Sequence, residues 1–327
     1  MPFDQKREQP GSRHVYGPVS SRRLGQSLGV DLVPMKSCTW NCIYCQLGRT
    51  KHYVTERQEF FPREEIVAEI LAVLKSGVPV DWITLVGSGE TMLYKGVGAL
   101  IADIKKHTDI PVAVITNGSL FHLREVRDEL LGADAVLPSF NAGSHALFEL
   151  IDRPAPGFTY ERHLDGLVQF GKEYKGKLWV EVMLIKGLND TDEALCDIAE
   201  ALRLVDPDMV HLVLPTRPAT EEQVAVPDRD SVERAFEVLS SVATVMHPVK
   251  GRMALEGAED MLAAVSAIVS RHPLQERELL DALLSRFSGD RCAASGALAE
   301  LYASGRFDRY TQAGEVYWIS RQQGLRS

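Results

Sequence analysis

The sequence predicts an α/β chain: a parallel sheet built from six strand–helix units, followed by a small, separate C-terminal domain. Three observations carry this reading. Short β-branched or apolar runs alternate with stretches whose apolar residues recur at three- and four-residue spacing. The runs are closed by Gly, Pro, Asn or Ser, residues that stop strands. The alternation ends near Leu255, where three helical stretches and a hairpin pattern take over. Strands joined through helices pair in parallel with right-handed crossovers.

Residues 1–26, broken by Gly, Pro and Ser, read as a flexible lead-in. They include Ser20-Ser21-Arg22-Arg23-Leu24-Gly25, and residues 1–60 hold nine Lys/Arg against five Asp/Glu, a basic lean. Leu28–Val33 is the first expected strand and leads into a cysteine-rich loop. Trp82–Val86, Val112–Thr116, Ala135–Pro138, Trp179–Leu184 and Val210–Leu214 follow as strands two to six. Helices are expected over Glu64–Ser76, with Ile66, Ile70, Leu71 and Leu74 on one face, and over Asp192–Leu204, with Leu195, Ile198, Ala199 and Leu202. The expected division is a lead-in over 1–26, a core domain over 27–254 and a C-terminal domain over 255–327. Cys196 and Cys292 read as small apolar core residues.

With 45% apolar and 25% charged residues in 327, the composition is that of an ordinary globular chain. A net charge of −9 argues against a surface coated for nucleic acid, while leaving room for a local basic patch. No apolar run approaches the ~20 residues that span a bilayer. The polar start, MPFDQKREQPGSRH, lacks the apolar core of a secretory signal. Five cysteines, three of them clustered, suit a reducing compartment and a metal site. The expected location is the cytoplasm, with no membrane partner.

The chemistry is concentrated in Lys36-Ser37-Cys38-Thr39-Trp40-Asn41-Cys42-Ile43-Tyr44-Cys45-Gln46, a C-x3-C-x2-C run. Disulfides pair cysteines in twos, and loops this short strain them. Zinc takes four ligands, so His52 would have to complete a Cys3His site. Three thiolates suit a cubane iron–sulfur cluster better, each binding one iron and leaving the fourth iron open to a small molecule. Loops after the C-terminal ends of parallel strands form the functional rim, and the cysteine loop follows strand one. Strand two runs into Gly87-Ser88-Gly89-Glu90, a turn with exposed backbone and a carboxylate. Strand three ends in Thr116-Asn117 and strand four in Ser139-Phe140-Asn141, all residues that also favour ordinary turns. Strand six ends in Thr216-Arg217-Pro218, where a guanidinium can pair with a carboxylate or phosphate.

The cysteine spacing, with Tyr44 just before the last cysteine, resembles the signature of the radical S-adenosylmethionine (radical SAM) superfamily. The resemblance implies a partial (β/α)6 barrel. It also implies a [4Fe–4S] cluster on Cys38, Cys42 and Cys45, with S-adenosylmethionine (SAM) on the open iron. The Gly87-Ser88-Gly89-Glu90 turn resembles the family's G-G-E motif, which holds the methionine amino group; Ser88 replaces its middle glycine. By the same resemblance Tyr44, Thr116, Asn117, Ser139, Asn141 and Arg217 are candidates for contacts to SAM, and Met183 and Leu184 for packing against adenine. A low-potential flavodoxin or ferredoxin is the implied electron donor.

Ser21-Arg22-Arg23-Leu24-Gly25, Leu28-Gly29-Val30-Asp31, Gln46-Leu47-Gly48-Arg49-Thr50 and the MLIKGLNDT stretch resemble radical SAM proteins grouped near the wyosine-forming tRNA enzymes. Those enzymes carry a second cluster on additional N-terminal cysteines, and this chain has no cysteine before Cys38. RNA or a nucleotide is therefore one expected substrate class, and a protein or small metabolite the other. The C-terminal pattern, helices over Gly257–Ser270, Pro273–Ser288 and Asp290–Ser304 and then a hairpin to Ile319, resembles a winged helix. Its third helix has Arg291 as its sole basic residue, and residues 256–327 hold eight Lys/Arg against ten Asp/Glu. A DNA-reading helix normally carries a basic footprint, so docking or substrate handling is as good a reading. A zinc-binding winged-helix regulator is the outside alternative.

Overall fold

Eight strands lie side by side in the order in which the chain makes them. The structure is a computed structural model that describes residues 14–21, 23–246, 255, 260–271, 273–312 and 314–321. Strand β1 (Val15–Ser21) runs antiparallel to β2 (Gly25–Asp31). Every later neighbour is parallel: β3 (Trp82–Val86), β4 (Val112–Thr116), β5 (Ala135–Pro138), β6 (Lys177–Met183), β7 (Met209–Val213) and β8 (Thr244–Met246). The crossovers carry α1 (Arg63–Lys75), α2 (Val97–Lys105), α3 (Arg124–Leu130), α4 (His145–Ile151), α5 (Tyr160–Glu173), α6 (Asp192–Val205) and α7 (Arg229–Ser240). Consecutive strand order with one hand of crossover curls the sheet into a partial barrel, helices outside.

Alternation along each strand separates two cores. Ile83, Leu85, Val112, Val114, Val136, Val180, Val182, Val210 and Leu212 are fully buried with the apolar faces of the helices. Ala113, Ala135 and Leu137 face the other way and pack with Trp82, Trp179 and Leu24, the last supplied by the β1–β2 turn. That turn plugs the N-terminal end of the barrel.

Four of the expectations need correction. The stretch read as a flexible lead-in contains β1, whose Gly17-Pro18 pair masked it; the register slips between Tyr16 and Val19, and Pro is tolerated on an edge strand. Residues 1–13 and Arg22 lie outside the described residues. The parallel run has seven strands rather than six, because three-residue β8 is too short to show a pattern. Cys196 and Cys292 are exposed, on solvent faces of their helices. Leu184 is fully buried in the helix-facing core, so it is a packing residue and is withdrawn as an adenine contact.

The C-terminal segment forms α8 (Met261–Val269), β9 (Leu274–Gln275), α9 (Glu276–Arg286), α10 (Arg291–Ala303), β10 (Phe307–Gln312) and β11 (Glu315–Ser320). Its sheet has the order β10-β11-β9, and Val265, Ile268, Leu279, Leu283, Leu301, Phe307 and Trp318 make its core. Asp260 and Asp290 cap α8 and α10 through their carboxylates. The helix expected from Gly257 is seen from Met261, with residues 256–259 outside the described residues. Among the described residues no helix is long and apolar enough to cross a membrane.

Candidate functional site

The cysteine loop follows β2 on the C-terminal rim and is held by the segment after α4. Asn41 N–H donates to the Arg153 carbonyl at 3.0 Å, Ile43 N–H to that of Ile151 at 3.0 Å, and Ala155 N–H to that of Thr39 at 2.8 Å. Trp40 is buried at the centre, edge-on to Phe148 at 5.4 Å and His163 at 5.1 Å. Thr50 closes the far end, donating through its hydroxyl to the Trp40 carbonyl and through its N–H to Asn41 Oδ1. A loop this fully hydrogen-bonded holds its side chains in place without a ligand.

Cys38, Cys42 and Cys45 are free thiols, each half-buried. Lys36, in the left-handed region at φ 62°, donates Nζ to Cys45 Sγ at 3.1 Å. Trp40 N–H donates to Cys38 Sγ at 3.4 Å. Burial pushes the Cys38 thiol up to about 12 and Cys42 well above its ordinary value, because a thiolate there would lose its water. Burial pulls the Lys36 ammonium down, but the neighbouring sulfurs, Cys45 first, leave it above its ordinary value. Three soft sulfur donors on one rigid loop, needing cationic compensation to ionise, fit an iron–sulfur cluster. Among the described residues no group of three or more His, Cys, Asp or Glu converges on one metal ion, and His52 is exposed. A cubane asks for something else, one thiolate on each of three irons.

The Gly87–Glu90 turn lies directly against this loop. Lys36 N–H donates to the Ser88 carbonyl and Glu90 N–H to that of Ser37, at 2.5 and 2.8 Å. Ser88 gives its N–H and its hydroxyl to Asp31, at 2.8 and 2.5 Å, and Asp31 also accepts from Arg271 Nε at 2.9 Å. Glu90 is buried and accepts from Thr116 Oγ1 at 2.5 Å, Asn117 N–H at 2.7 Å and Met92 N–H at 2.9 Å. Burial still holds its carboxyl above the ordinary range, against those three bonds.

The other rim residues form a second network. Asn117 Nδ2 donates to Thr39 Oγ1 at 2.9 Å, beside Cys38. Asn141 Nδ2 donates to Tyr44 Oη at 2.7 Å and Asp152 Oδ1 at 2.9 Å, while its Oδ1 accepts from Met183 N–H. Ser139 contributes its main chain, bridging to Glu181 and accepting from His163 at 3.2 Å. Met183 is half-buried beside Tyr44 and Ile43. Arg217 Nη1 donates to Gln46 Oε1 at 3.0 Å, and Thr220 Oγ1 to the Cys45 carbonyl at 2.7 Å. The structure thus gathers all the sequence-derived candidates except Leu184 around one loop. Sequence reasoning missed Lys36, Asp31, Asp152 and Arg271. Burial pushes Asp152 up to about 7 against its bonds from Asn141 and Tyr44, and its Oδ2 has no hydrogen-bond partner. Lys36 was findable by its place two residues before the motif; nothing local marks the other three.

The family model for the radical SAM superfamily matches residues 32–199, which include this loop and the turn against it. A UPF0026 protein of Methanocaldococcus jannaschii is 31% identical over 286 residues, 83% of this chain and 86% of that protein. The chain is a radical SAM protein of the UPF0026 family. Radical SAM proteins use a [4Fe–4S] cluster and SAM. A "GTPase Obg" of Brachyspira hyodysenteriae is 37% identical over 302 residues, 90% of this chain, and this chain spans 43% of that protein's length. More distantly, a tRNA-2-methylthio-N(6)-dimethylallyladenosine synthase of Aquifex aeolicus is 23% identical over 66% of this chain and 50% of its own. The solved structure of TYW1 with a lysine–pyruvate adduct bound shares the fold, with a TM-score of 0.52 at 18% identity over 66% of this chain and 74% of that one.

Proposed function

We propose that this radical SAM protein reductively cleaves SAM to modify a nucleotide or RNA. The observation that carries it is the pair of backbone hydrogen bonds joining the cysteine loop to the Gly87–Glu90 turn, Lys36 to Ser88 and Glu90 to Ser37. Cluster ligands and cofactor-binding backbone are thereby one rigid piece. In this reading Cys38, Cys42 and Cys45 hold the [4Fe–4S] cluster. When bound, the cluster would supply the single electron, drawn from a reduced flavodoxin or ferredoxin, for reductive cleavage of SAM.

The chain's own residues bind, orient and exclude water. Gly87, Ser88, Gly89 and Glu90 orient the methionine end. Thr116 and Asn117 fix the Glu90 carboxylate and line the ribose side with Ser139. Asn141 and Tyr44 brace the loop beneath Cys42, and Met183 supplies an apolar wall for adenine. Arg217 steadies Gln46, the residue after Cys45. RNA as substrate is supported by the relationship to the tRNA-modifying synthase above. We read the C-terminal segment as a winged-helix-like module that docks the substrate. Arg271 ties it to the rim through Asp31.

Anaerobic purification, iron and sulfide analysis, and incubation with dithionite and SAM test the proposal. The expected result is about four irons per chain and release of 5′-deoxyadenosine. Zinc in place of iron, with SAM left intact after reconstitution, would overturn it.

A further inference from the structure

The inner wall of the barrel carries a polar group with nothing to bond. His211 lies on β7, 3% exposed, and neither ring nitrogen has a hydrogen-bond partner. Its strand neighbours Val210 and Leu212 belong to the helix-facing core, so His211 faces inward. In register beside it on β6 stands Glu181, ion-paired with Arg23 from the β1–β2 turn, and Glu181 in turn is bridged to Ser139 on the rim. Trp179 presents its ring edge-on to the imidazole at 5.7 Å and leans on Trp82 at 5.8 Å, making an aromatic floor.

Below this level Ala113, Ala135 and Leu137 fill the inner face with Leu24, whereas toward the rim the inner side chains are less completely covered. Along β6 the helix-facing residues are buried while Trp179, Glu181 and Met183 are only partly so. Val213 and Ile115, also inward, are likewise only partly buried. Space therefore remains above a floor whose polar atoms are already desolvated, and buried polar atoms are almost always satisfied in a working protein.

We propose that His211, flanked by Glu181 and Arg23, is the recognition point for a neutral, planar nitrogen heterocycle: a nucleobase entering the barrel from the rim. Burial, helped by Arg23, lowers the imidazole to about 4, so it is neutral and offers one donor and one acceptor. Arg23 and Glu181 cancel each other's charge beside the imidazole, and a further cation, the exposed Lys177, sits over the Trp179 and Trp82 rings at 5.4 and 5.7 Å. A base edge presents the matching donor and acceptor, and its faces suit the tryptophans. The site lies one strand position from the rim, since Phe140 N–H, beside Asn141, bonds the Glu181 carbonyl at 2.8 Å. The inference rests on the nucleotide reading above and names how the base is held.

The test is binding, with no turnover. Guanosine, adenosine, cytidine and uridine are titrated calorimetrically into the reconstituted protein and into His211→Phe, with SAM affinity measured in parallel to confirm the fold. At least one nucleoside is expected to bind the wild type and to bind His211→Phe about 10-fold or more weakly. Binding by none of the four, or equal binding to both proteins, overturns the site. Should His211→Phe not fold, photolabelling of the wild type with 8-azidoadenosine and 8-azidoguanosine decides. With SAM present at saturation to occupy its own site, labelled peptides spanning 209–213 support the site, and labels confined elsewhere overturn it. Formation of 5′-deoxyadenosine from SAM and dithionite alone needs no nucleoside. A failure of the enzyme reading is therefore distinguishable from a failure of this one.

Discussion

Gly89 approaches Ser37 so closely that a Cβ added to it would stand 1.8 Å from the Ser37 carbonyl oxygen. The glycine is required by the seat of the cysteine loop, whatever else it contacts. Gly89→Ala is expected to push the loop off the turn, break the Glu90–Ser37 bond and cost about 1–3 kcal/mol as overpacking does. Iron retained after anaerobic reconstitution, with a urea midpoint, checks this; a variant with full iron and unchanged midpoint would contradict it.

Each cluster cysteine binds its own iron in the proposed arrangement, so none can substitute for another. Cys42→Ala is expected to lose reductive SAM cleavage altogether. Chromatographic quantification of 5′-deoxyadenosine after dithionite reduction reads the outcome, and product from this variant would end the mechanism.

Asp31 is shared by Ser88 and by Arg271, which comes from 240 residues further along the chain. Replacing it with Ala removes the charge partner of a largely buried guanidinium, which keeps only its neutral partners such as the Ala267 carbonyl, and takes the acceptor from the buried Ser88 hydroxyl. Loss of one partner of such a pair costs about 3–5 kcal/mol. Asp31→Ala should therefore lower the melting temperature well beyond Ser88→Ala, which removes only the hydroxyl. Similar melting of the two variants in a thermal scan would contradict the shared role.

His163 is held neutral under Trp40, its pKa lowered to about 4 by burial, against the bond to Ser139 that raises it. A base whose native pKa lies below its unfolded value of about 6.5 takes up its proton more readily when unfolded. Its contribution is complete above that unfolded value and is lost as pH falls from about 6.5 toward 4. At pH 5 the loss amounts to about 2 kcal/mol relative to neutral pH. Urea unfolding of the wild type and His163→Gln at pH 7 and pH 5 measures it. The variant should lose less stability on acidification by about that amount.

Much of the fold was legible because its signals are local. Strands over Trp82–Val86, Val112–Thr116 and Ala135–Pro138 appear with the expected boundaries, and α6 starts at the expected Asp192. What failed was β1, where Gly17-Pro18 looks like a breaker until β2 is present to pair with it, and β8, which is a strand only because β7 lies alongside. Exposure of Cys196 and Cys292 is likewise set by which helix face meets the sheet.

By itself the sequence determined the alternating α/β architecture and the three-thiolate chemistry, because periodicity and ligand spacing are properties of neighbouring residues. The tertiary structure alone decided how the polar groups are shared out. It gave Ser88 to Asp31, Glu90 to the end of β4, and Tyr44 to Asn141 and Asp152. It also left both nitrogens of His211 unmatched inside the barrel. Hydrogen bonds between residues tens to hundreds of positions apart depend on which strands end side by side, and that order exists only once the sheet has curled.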